Sequence, residues 1–182
     1  MTPPDPIEIR DATEADMPAI QEIYAHHVLT GGGSFEYDPP DLAEMVRRRA
    51  AITDEGYPYL VAVDTANSGK ILGYAYAGAY RPRRAYRYTV ENSVYVADDA
   101  HRRGVGRKLL AELIRRCTDA GYRQMIAVIG DSGNAGSIGL HRNMGFRQVG
   151  IVENVGFKFG RWLDSVTMQL PLGEGGDTPP PE

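Results

Sequence analysis

Apolar residues recur along this chain with two different periods, and their order predicts which segments are helices and which are strands. Ile7–Arg10 alternates as a short first strand. Thr13 and Asp16, three residues apart, have the spacing of a capping box at the start of a helix. The apolar face of that helix is formed by Met17, Ile20, Tyr24 and Val28. The glycine run at 31–33 is predicted to end it.

The period changes from helical to alternating after a second helix. The apolar face of this helix is formed by Leu42, Met45 and Val46. It is expected to stop near the turn Gly56–Pro58. Tyr59–Val63 and Ile71–Ala77 alternate on either side of a turn at 67–69, which predicts a β-hairpin. Thr89–Val96 is the next predicted strand.

The second half of the chain alternates helix with strand. Between Gly104 and Gly121 the apolar residues recur at helical spacing, so a helix is predicted to pack one face onto a sheet. Met125–Ile129 is an uninterrupted apolar run, which is typical of a strand buried on both faces near the middle of a sheet. Asn134 is a good N-cap for a further helix, and Gly145 is its predicted C-cap.

Two last strands, near Gln148–Val155 and Leu163–Leu170, complete the predicted order. The result is one domain in which helices cover a mixed sheet, an α+β fold. The Pro-rich residues 1–6 and the Gly/Pro/acidic residues 173–182 are predicted to be disordered tails on either side of a folded domain at 7–172.

Composition and charge narrow the possible functions. With 42% hydrophobic and 24% charged residues, the chain of 182 residues is ordinary for a globular protein. Its formal charge of −4 gives no general reason to expect nucleic acid or an anionic membrane as a partner. The single cysteine, Cys117, excludes an internal disulfide and a cysteine-based zinc site, and its helical apolar position indicates a core residue. Because the chain shows no signal-peptide pattern and no apolar run of roughly 18 residues, the expected location is the cytoplasm.

The segment Thr89–Leu110 carries the strongest functional signal. It consists of a strand, an acidic break, a basic Gly-x-Gly turn and then a helix. Gly104 and Gly106 allow the backbone to approach a ligand, and the N-terminus of the following helix attracts anions. The side chains suited to phosphate oxygens are those of Arg102, Arg103 and Arg107. This order favours a ligand that carries a diphosphate and runs back along the strand.

Other interpretations of the turn make different demands. A dinucleotide-binding fingerprint needs a third glycine where Leu109 stands, and a Walker loop needs Gly-Lys-Ser/Thr, which is absent. A plain glycine turn with solvated arginines fits residues 101–107 as well as a phosphate site does. The surrounding segments are therefore needed to distinguish a phosphate site from a plain glycine turn.

Together with Asn134–Phe146, this segment resembles motifs A and B of the GNAT acetyl-CoA-dependent N-acetyltransferases. The resemblance extends over residues 7–172, the whole predicted domain. Within that superfamily, the stretches at 80–96, 125–146 and 155–170 are most similar to the phosphinothricin and the methionine sulfoximine or methionine sulfone acetyltransferases. The implied fold is a mixed sheet of about seven strands with about four helices, splayed between the fourth and fifth strands.

The resemblance implies an enzyme whose cosubstrate is acetyl-CoA and which needs no metal. The acetyl group would pass directly to the amine of a small amino-acid analogue, without a covalent enzyme intermediate. Enzymes of this type are homodimers, and the apolar residues 157–162 with the closing strands are suited to a subunit interface. Neither nucleic acid nor a membrane is implied as a partner.

The same motifs imply an acetyl-CoA site. The backbone of Val94–Val96 would bind the peptide-like pantetheine arm, residues 102–107 would surround the diphosphate, and Asn134 would contact the far side. His101 stands where the motif usually has Gln or Arg, and it could still donate to a phosphate. The expected cofactor-binding residues are Val94, Tyr95, Val96, Arg102, Arg103, Gly104, Val105, Gly106, Arg107 and Asn134.

Two residues are candidates for proton transfer in catalysis. A carboxylate at Glu91, on the strand before the turn, can accept the proton that an ammonium must lose before it attacks a thioester. A strand carboxylate that only forms hydrogen bonds is the alternative. His141 stands where many GNAT enzymes have a Tyr as general acid, and a histidine packed in a helix is equally compatible with the sequence. A backbone N–H near Val94 would stabilise the oxyanion.

Substrate recognition is expected in the Arg- and Tyr-rich loop Tyr80–Tyr88. Arginines suit phosphinate, sulfoximine or sulfone oxygens, although arginines in an exposed loop are usually solvated. Phe35–Tyr37 is a possible second wall, and His26 and His27 are assigned no role. The expected substrate-binding residues are Arg81, Pro82, Arg83, Glu91, Asn92 and Ser93.

Other functions remain open at this point. The enzyme could acetylate a different small amine, such as a polyamine or a peptide N-terminus. A non-catalytic acyl-CoA-binding module would need the same cofactor site, and measured turnover would separate it from an enzyme. Nucleotide binding at the turn predicts that ATP or NAD competes with CoA, which is not expected.

Overall fold

The computed structural model describes residues 6–180, so residues 1–5 and 181–182 of the predicted tails lie outside the described part of the chain. Within it the chain forms seven strands and four α-helices. The strands are Ile7–Asp11 (β1), Tyr59–Asp64 (β2), Lys70–Ala79 (β3), Thr89–Val96 (β4), Gln124–Gly130 (β5), Arg147–Lys158 (β6) and Arg161–Pro171 (β7). The helices are Met17–Thr30 (α1), Leu42–Asp54 (α2), Val105–Asp119 (α3) and Ala135–Asn143 (α4).

All the described strands form one mixed sheet in the order β1-β2-β3-β4-β5-β7-β6. Neighbouring strands are antiparallel except β4 and β5, which run parallel. Their pairing joins only Thr89–Asn92 to Gln124–Ala127, and the carboxyl ends of the two strands are not paired with each other. The predicted α+β fold, with a sheet splayed between the fourth and fifth strands, is therefore confirmed.

Helices cover both faces of this sheet, and the sheet lies between two apolar cores. On one face α3 and α4 pack in a core that includes Leu109, Leu113 and Met125. On the other face α1 and α2 pack around residues such as Ile20. Cys117 is fully buried in the α3 core, where burial raises the pKa of its thiol to about 12. It is a core residue, as predicted.

The prediction that Met125–Ile129 is buried on both faces is wrong at one position. Val128 is 45% exposed, whereas the other residues of this run are buried. The physical reason is that β5 continues beyond Ala127, its last residue paired with β4. The side chain of Val128 therefore lines the space between the separated strands.

The ends of the domain have defined contacts where they are described. The carbonyl of Pro6 accepts a hydrogen bond from the backbone N–H of Thr65 at 2.8 Å. Residues 173–176 form a turn, and Arg123 pairs with Glu174 at 3.2 Å. The part of the predicted C-terminal tail that is described is thus attached to the domain. Among the helices described, none combines the length and the apolar character that crossing a membrane requires.

Candidate active site

A cavity of about 770 Å³ lies where β4 and β5 separate. Two of its walls are the strand segments Asn92–Val96 and Ala127–Gly130. The turn before α3, the loop between β5 and α4, helix α4 and the glycine run 31–33 also line it, together with His27 and Arg161. An elongated ligand between the strands would meet backbone N–H and C=O groups that elsewhere in the sheet pair with a neighbouring strand.

Side chains alternate between the two faces of β4, which gives this strand two chemically different surfaces. Val94 and Val96 pack against the α3 and α4 core, whereas Tyr95 packs against the α1 and α2 core. The same alternation places Glu91 and Ser93 on the face of Tyr95. The predicted base therefore faces α1 and α2.

The turn before α3 presents backbone donors to the cavity. His101, Arg102 and Gly104 line it, and the last two have positive φ angles of 61° and 81°. The helical ladder of α3 starts with the hydrogen bond from the Lys108 N–H to the Gly104 carbonyl at 3.1 Å. The N–H groups of residues 105–107 precede that bond, so they have no helical acceptor and are suited to an anion.

Gly106 also has a packing reason to be glycine. A Cβ at this position would lie 3.2 Å from the side chain of Leu140 in α4 and 3.5 Å from that of Val96 in β4. A larger residue would therefore push α3 away from its neighbours at the edge of the cavity. The sequence predicted close approach to a ligand here, and the structure adds close approach between two helices.

The predicted phosphate-binding side chains do not all point the same way. Arg102 and Arg107 are exposed and line the cavity, as does Asn134 at the start of α4. Arg103 does not line it, because its guanidinium lies 2.7 Å from the carboxylate of Asp64 at the end of β2. The structure thus brings two of the three arginines to the cavity and holds the third outside.

Asn134 is the N-cap of α4, as predicted. Its Oδ1 accepts a hydrogen bond from the Ser137 N–H at 3.1 Å. Its Nδ2 lies 3.5 Å from the carbonyl of Gly130, the last residue of β5. These contacts fix the side chain at the far wall of the cavity, opposite β4.

Glu91 is half-buried on β4, and burial raises the pKa of its carboxyl. Among the described residues no cation or hydrogen-bond donor offsets this burial. Burial raises the pKa of Tyr76 as well, and the nearby carboxylate of Glu91 adds to that rise. Glu91 therefore lies beside Tyr76 as a carboxylate with increased basicity. It does not line the cavity that contains Arg102 and Asn134.

His141 is buried at the point where β4 and β5 begin to separate. Its Nδ1 lies 2.8 Å from the Ser137 carbonyl, and its Nε2 lies 3.0 Å from Oδ1 of Asn92. The Nδ2 of Asn92 donates to the carbonyl of Ile126 on β5 at 3.1 Å. Burial lowers the pKa of His141, which favours the neutral ring, and a neutral ring can donate to only one of the two oxygens.

His27 is a cavity residue to which the sequence prediction gave no role. Its Nε2 donates to the carbonyl of Val96 at 2.9 Å, and its ring lies against that of Tyr95. Burial lowers the pKa of His27. A signal was present in the sequence, because His27 follows Ile20 and Tyr24 at spacings of seven and three on the buried face of α1.

The predicted substrate loop lies in solvent. Arg81, Pro82 and Arg83 are exposed, and the guanidinium of Arg81 lies over the rings of Tyr80 and Tyr86 at 5.1 and 5.8 Å. None of these three residues lines the cavity between β4 and β5. The predicted substrate-binding residues are thus divided among different places. Asn92 and Ser93 line the cavity, the three loop residues do not, and Glu91 lies on β4 outside the cavity lining.

The sequence of the whole domain matches a known family model. The model is described as an acetyltransferase (GNAT) domain and covers residues 9–167. This chain belongs to the GNAT acetyltransferase family. The predicted enzyme class, an acetyl-CoA-dependent N-acetyltransferase, is confirmed.

Relatives of this GNAT acetyltransferase resemble it over nearly its whole length. A phosphinothricin N-acetyltransferase from Alcaligenes faecalis is 57% identical over 172 residues, which are 94% of this chain and 86% of the relative. An L-methionine sulfoximine/L-methionine sulfone acetyltransferase from Pseudomonas aeruginosa is 48% identical over 164 residues, 90% of this chain and 94% of the relative. The crystal structure of a GNAT superfamily phosphinothricin acetyltransferase from Sinorhizobium meliloti, in complex with acetyl-CoA, has a TM-score of 0.93 at 50% identity, and the match covers 97% of this chain and 94% of the other.

The described part of this GNAT acetyltransferase shows no cluster of side chains suited to a metal ion. Among residues 6–180, no group of three or more His, Cys, Asp or Glu side chains is placed to hold a metal ion. Glu91 and His141, the two candidates for proton transfer, lie on opposite sides of β4. Glu91 is on the face of β4 toward α1 and α2, and His141 contacts Asn92 from α4.

Proposed function

We propose that the acceptor substrate of this enzyme is a small amino acid whose side chain ends in an oxygen-bearing phosphorus or sulfur group, of the phosphinothricin or methionine sulfoximine type. The activities of the relatives that are 57% and 48% identical support this class. The observation that carries the proposal is the place of Glu91, a half-buried carboxylate one residue before the β4–β5 pairing ends. An amine that arrives there from the α1 and α2 face reaches a proton acceptor and the inner end of the cavity together.

Acetyl-CoA fits the cavity between β4 and β5 because of the donors that surround it. The diphosphate would be held by the N–H groups of residues 105–107 and by the side chains of Arg102 and Arg107. The pantetheine amides would pair with the edge of Val94–Val96 that faces no strand, and Asn134 would close the opposite wall. When bound, the cosubstrate supplies an acetyl group activated as a thioester.

Glu91 is the proton acceptor for the substrate ammonium, directly or through a water molecule. Its raised pKa makes the carboxylate a stronger base than an exposed glutamate. The free amine then attacks the acetyl carbonyl directly. A covalent enzyme intermediate on Cys117 has no support, because that thiol is buried in the α3 core and its raised pKa keeps it protonated.

His141 is the candidate proton donor to the departing sulfur. It lines the cavity from the α4 side, and its Nε2 contacts Asn92 at the residue where β4 and β5 part. Donation requires the neutral tautomer with its proton on Nε2, and this N–H must turn from Asn92 toward the cavity. A backbone N–H near Val94 stabilises the negative charge that develops on the acetyl oxygen.

The oxygen-bearing end of the substrate is assigned to the loop that joins β3 to β4. Glu91 is paired with Gly78, two residues before this loop begins. Arg81 and Arg83 therefore follow the residue that pairs with the base by only three and five positions, and their guanidinium groups suit tetrahedral oxygens. Ser93 is on the same face of β4 as Glu91 and adds a hydroxyl.

We also propose that the enzyme is a homodimer that forms through β6, β7 and the turn between them. Large apolar side chains are exposed there, namely Val149, Ile151, Val152, Val155, Phe157, Phe159 and Trp162. A concentration of exposed apolar side chains of this kind is typical of an interface. The mass in solution by light scattering tests the proposal, and a monomer at micromolar concentration would contradict it.

A substrate panel tests the proposed acceptor class. The enzyme is supplied with acetyl-CoA and with phosphinothricin, methionine sulfoximine, methionine sulfone, a polyamine or a short peptide, and the release of CoA is followed. We expect kcat/KM for at least one of the first three to exceed that for the polyamine and the peptide by about 100-fold. Turnover of the polyamine or the peptide alone contradicts the acceptor class. Binding of acetyl-CoA without turnover of any amine favours a binding module.

A further inference from the structure

Lys158, at the end of β6, is a buried cation that the proposed chemistry does not use. The residue is 3% exposed. Its ammonium donates to three backbone carbonyls, those of Val28 at 2.6 Å, Ser34 at 2.8 Å and Gly31 at 3.4 Å. An ammonium has three N–H donors, so each of them has an acceptor here.

These acceptors belong to the C-terminal end of α1 and the segment that follows it. The last helical hydrogen bond of α1 runs from the Gly31 N–H to the His27 carbonyl at 3.0 Å. The Val28 carbonyl comes after this point and has no helical donor, and the partial negative charge of the helix end favours a cation. Burial lowers the pKa of Lys158, and carbonyl acceptors offset the loss of hydration. Lys158 therefore caps α1 from a distant strand.

The residues that Lys158 holds are the glycine segment, which we define as residues 31–34. Its three glycines line the cavity assigned to acetyl-CoA. On one side, His27 at the end of α1 bonds to Val96 of β4. On the other side, the Gly32 carbonyl lies so close to Gly130 of β5 that a Cβ there would collide with it. The glycine segment thus crosses from the β4 half of the splayed sheet to the β5 half.

We propose that Lys158 is a positioning residue for acetyl-CoA binding, because it fixes the glycine segment across the gap between β4 and β5. Without the ammonium, three carbonyls lose their donor and the segment is free to move away from β5. The cavity would then lose a wall. The proposal rests on the placement of acetyl-CoA in this cavity and assigns Lys158 no contact with the acceptor amine.

The test compares Lys158→Met with Lys70→Met, a matched control at a lysine of the β2–β3 hairpin whose exposed ammonium pairs with Asp99. CoA affinity is measured by calorimetry, kinetics with the best amine of the panel, and amide hydrogen exchange at residues 31–34 without ligand. For Lys158→Met we expect about 10-fold weaker CoA binding and an equal rise in the KM for acetyl-CoA. We expect faster exchange in the glycine segment and a kcat within about 3-fold of the wild type. Lys70→Met should resemble the wild type.

Two outcomes would overturn the proposal. One is a lower melting temperature with unchanged CoA affinity and unchanged KM, which would make Lys158 a purely structural cap. The other is a large fall in kcat with an unchanged KM, which would place Lys158 in the chemical step. If acetyl-CoA does not bind in the cavity between β4 and β5, the result is different. CoA would then fail to protect the amides of residues 31–34 and 102–107 from hydrogen exchange in the wild-type protein.

Gly130→Ala provides a second variant in case Lys158→Met does not fold. Its methyl group displaces the Gly32 carbonyl and leaves Lys158 intact. We expect the same weakening of CoA binding, and the effects of the two substitutions should not add in the double variant, because both act through the glycine segment. Unchanged CoA affinity in Gly130→Ala would contradict the role of the segment.

Discussion

The two faces of β4 carry different chemistry within eight residues of one strand. Toward α1 and α2, Glu91 shares its face with Tyr95, whose ring packs 5.1 Å from those of Tyr24 and Tyr74. Toward α3 and α4, Asn92 connects β4 to β5 and to a buried histidine. A half-buried carboxylate that has no hydrogen-bond donor among the described residues and an amide that contacts both β5 and His141 are therefore neighbours in sequence and lie on opposite sides of the sheet.

This difference shows how a strand at the edge of a gap can separate two tasks. Because side chains alternate along a strand, a strand has two independent surfaces. Beyond Asn92 the strand β4 is no longer paired with β5, so its backbone edge is also available to a ligand in the cavity. Substitutions toward α1 and α2 should act on proton removal from the amine. Substitutions toward α3 and α4 should act on cofactor binding and on the leaving group. Kinetic constants for the two substrates distinguish these cases.

The largest expected effect is that of Glu91→Gln, which removes the proton acceptor and keeps the shape of the side chain. We expect kcat to fall about 10²- to 10⁴-fold, with little change in the KM for acetyl-CoA. A protonated carboxyl cannot accept a proton, so wild-type activity should rise with pH through the pKa of Glu91. Because burial raises that pKa, the acidic limb should lie above the range of an exposed glutamate, and Glu91→Gln should lack this limb.

The matched control for this substitution is Glu8→Gln, at an exposed carboxylate on β1 at the far edge of the sheet. Its kinetics should match those of the wild type. If Glu91→Gln keeps both the wild-type kcat and the acidic limb, another group removes the proton. Proton removal could then no longer be assigned to the α1 and α2 face of β4.

His141→Gln tests the opposite face, with an expected fall in kcat of about 100-fold. Glutamine can keep one hydrogen bond to Asn92 but cannot deliver a proton to sulfur. The acetyl-CoA KM should change little, and the acidic limb assigned to Glu91 should persist. If His141→Gln loses stability and leaves kcat at the wild-type value, the histidine only holds Asn92 and is not a proton donor.

Arg107→Ala should act on the cofactor alone. A charge-assisted hydrogen bond to phosphate contributes about 1.5–3 kcal/mol, so we expect the KM for acetyl-CoA to rise about 10- to 100-fold with kcat nearly unchanged. Arg103→Ala should raise this KM less, because its guanidinium is bound to Asp64. Arg115→Ala, on the exposed side of α3, is the control. Equal effects of Arg107→Ala and Arg103→Ala would show that Arg103 leaves Asp64 when the cofactor binds.

Local signals made the elements of this fold predictable from the sequence. The capping box at Thr13 and the N-cap at Asn134 act within a few residues, and both are present as expected. The positions that were missed depend on distant partners. The contact of His27 with Val96 spans 69 residues and that of Lys158 with Val28 spans 130. No periodicity encodes such contacts, and Val128 is exposed only because pairing with β4 ends before it.

The smallest kinetic effect is expected for Asp16→Asn, which perturbs the start of α1 without touching the faces of β4. Asp16 accepts two hydrogen bonds from Arg10, at 2.7 and 2.8 Å, and further ones from the N–H and hydroxyl of Thr13. The hydrogen bonds from Arg10 lower the pKa of Asp16 to about 2, against the opposing effect of burial. Both kinetic constants should stay near their wild-type values at temperatures well below melting.

The effect of Asp16→Asn should appear in stability and depend on pH. A depressed folded-state pKa stabilises the protein at pH values above the unfolded pKa near 4, and this stabilisation disappears as the pH falls toward 2. The wild type should therefore be more stable than the variant by about 1–2 kcal/mol at pH 7, with allowance for screening at the partly exposed Arg10. Denaturant unfolding at pH 7 and pH 2.5 measures this difference. If it stays constant between these pH values, the carboxylate charge is not what stabilises the start of α1. If kcat falls as well, the α1 face is coupled to Glu91 more tightly than the separation across β4 implies.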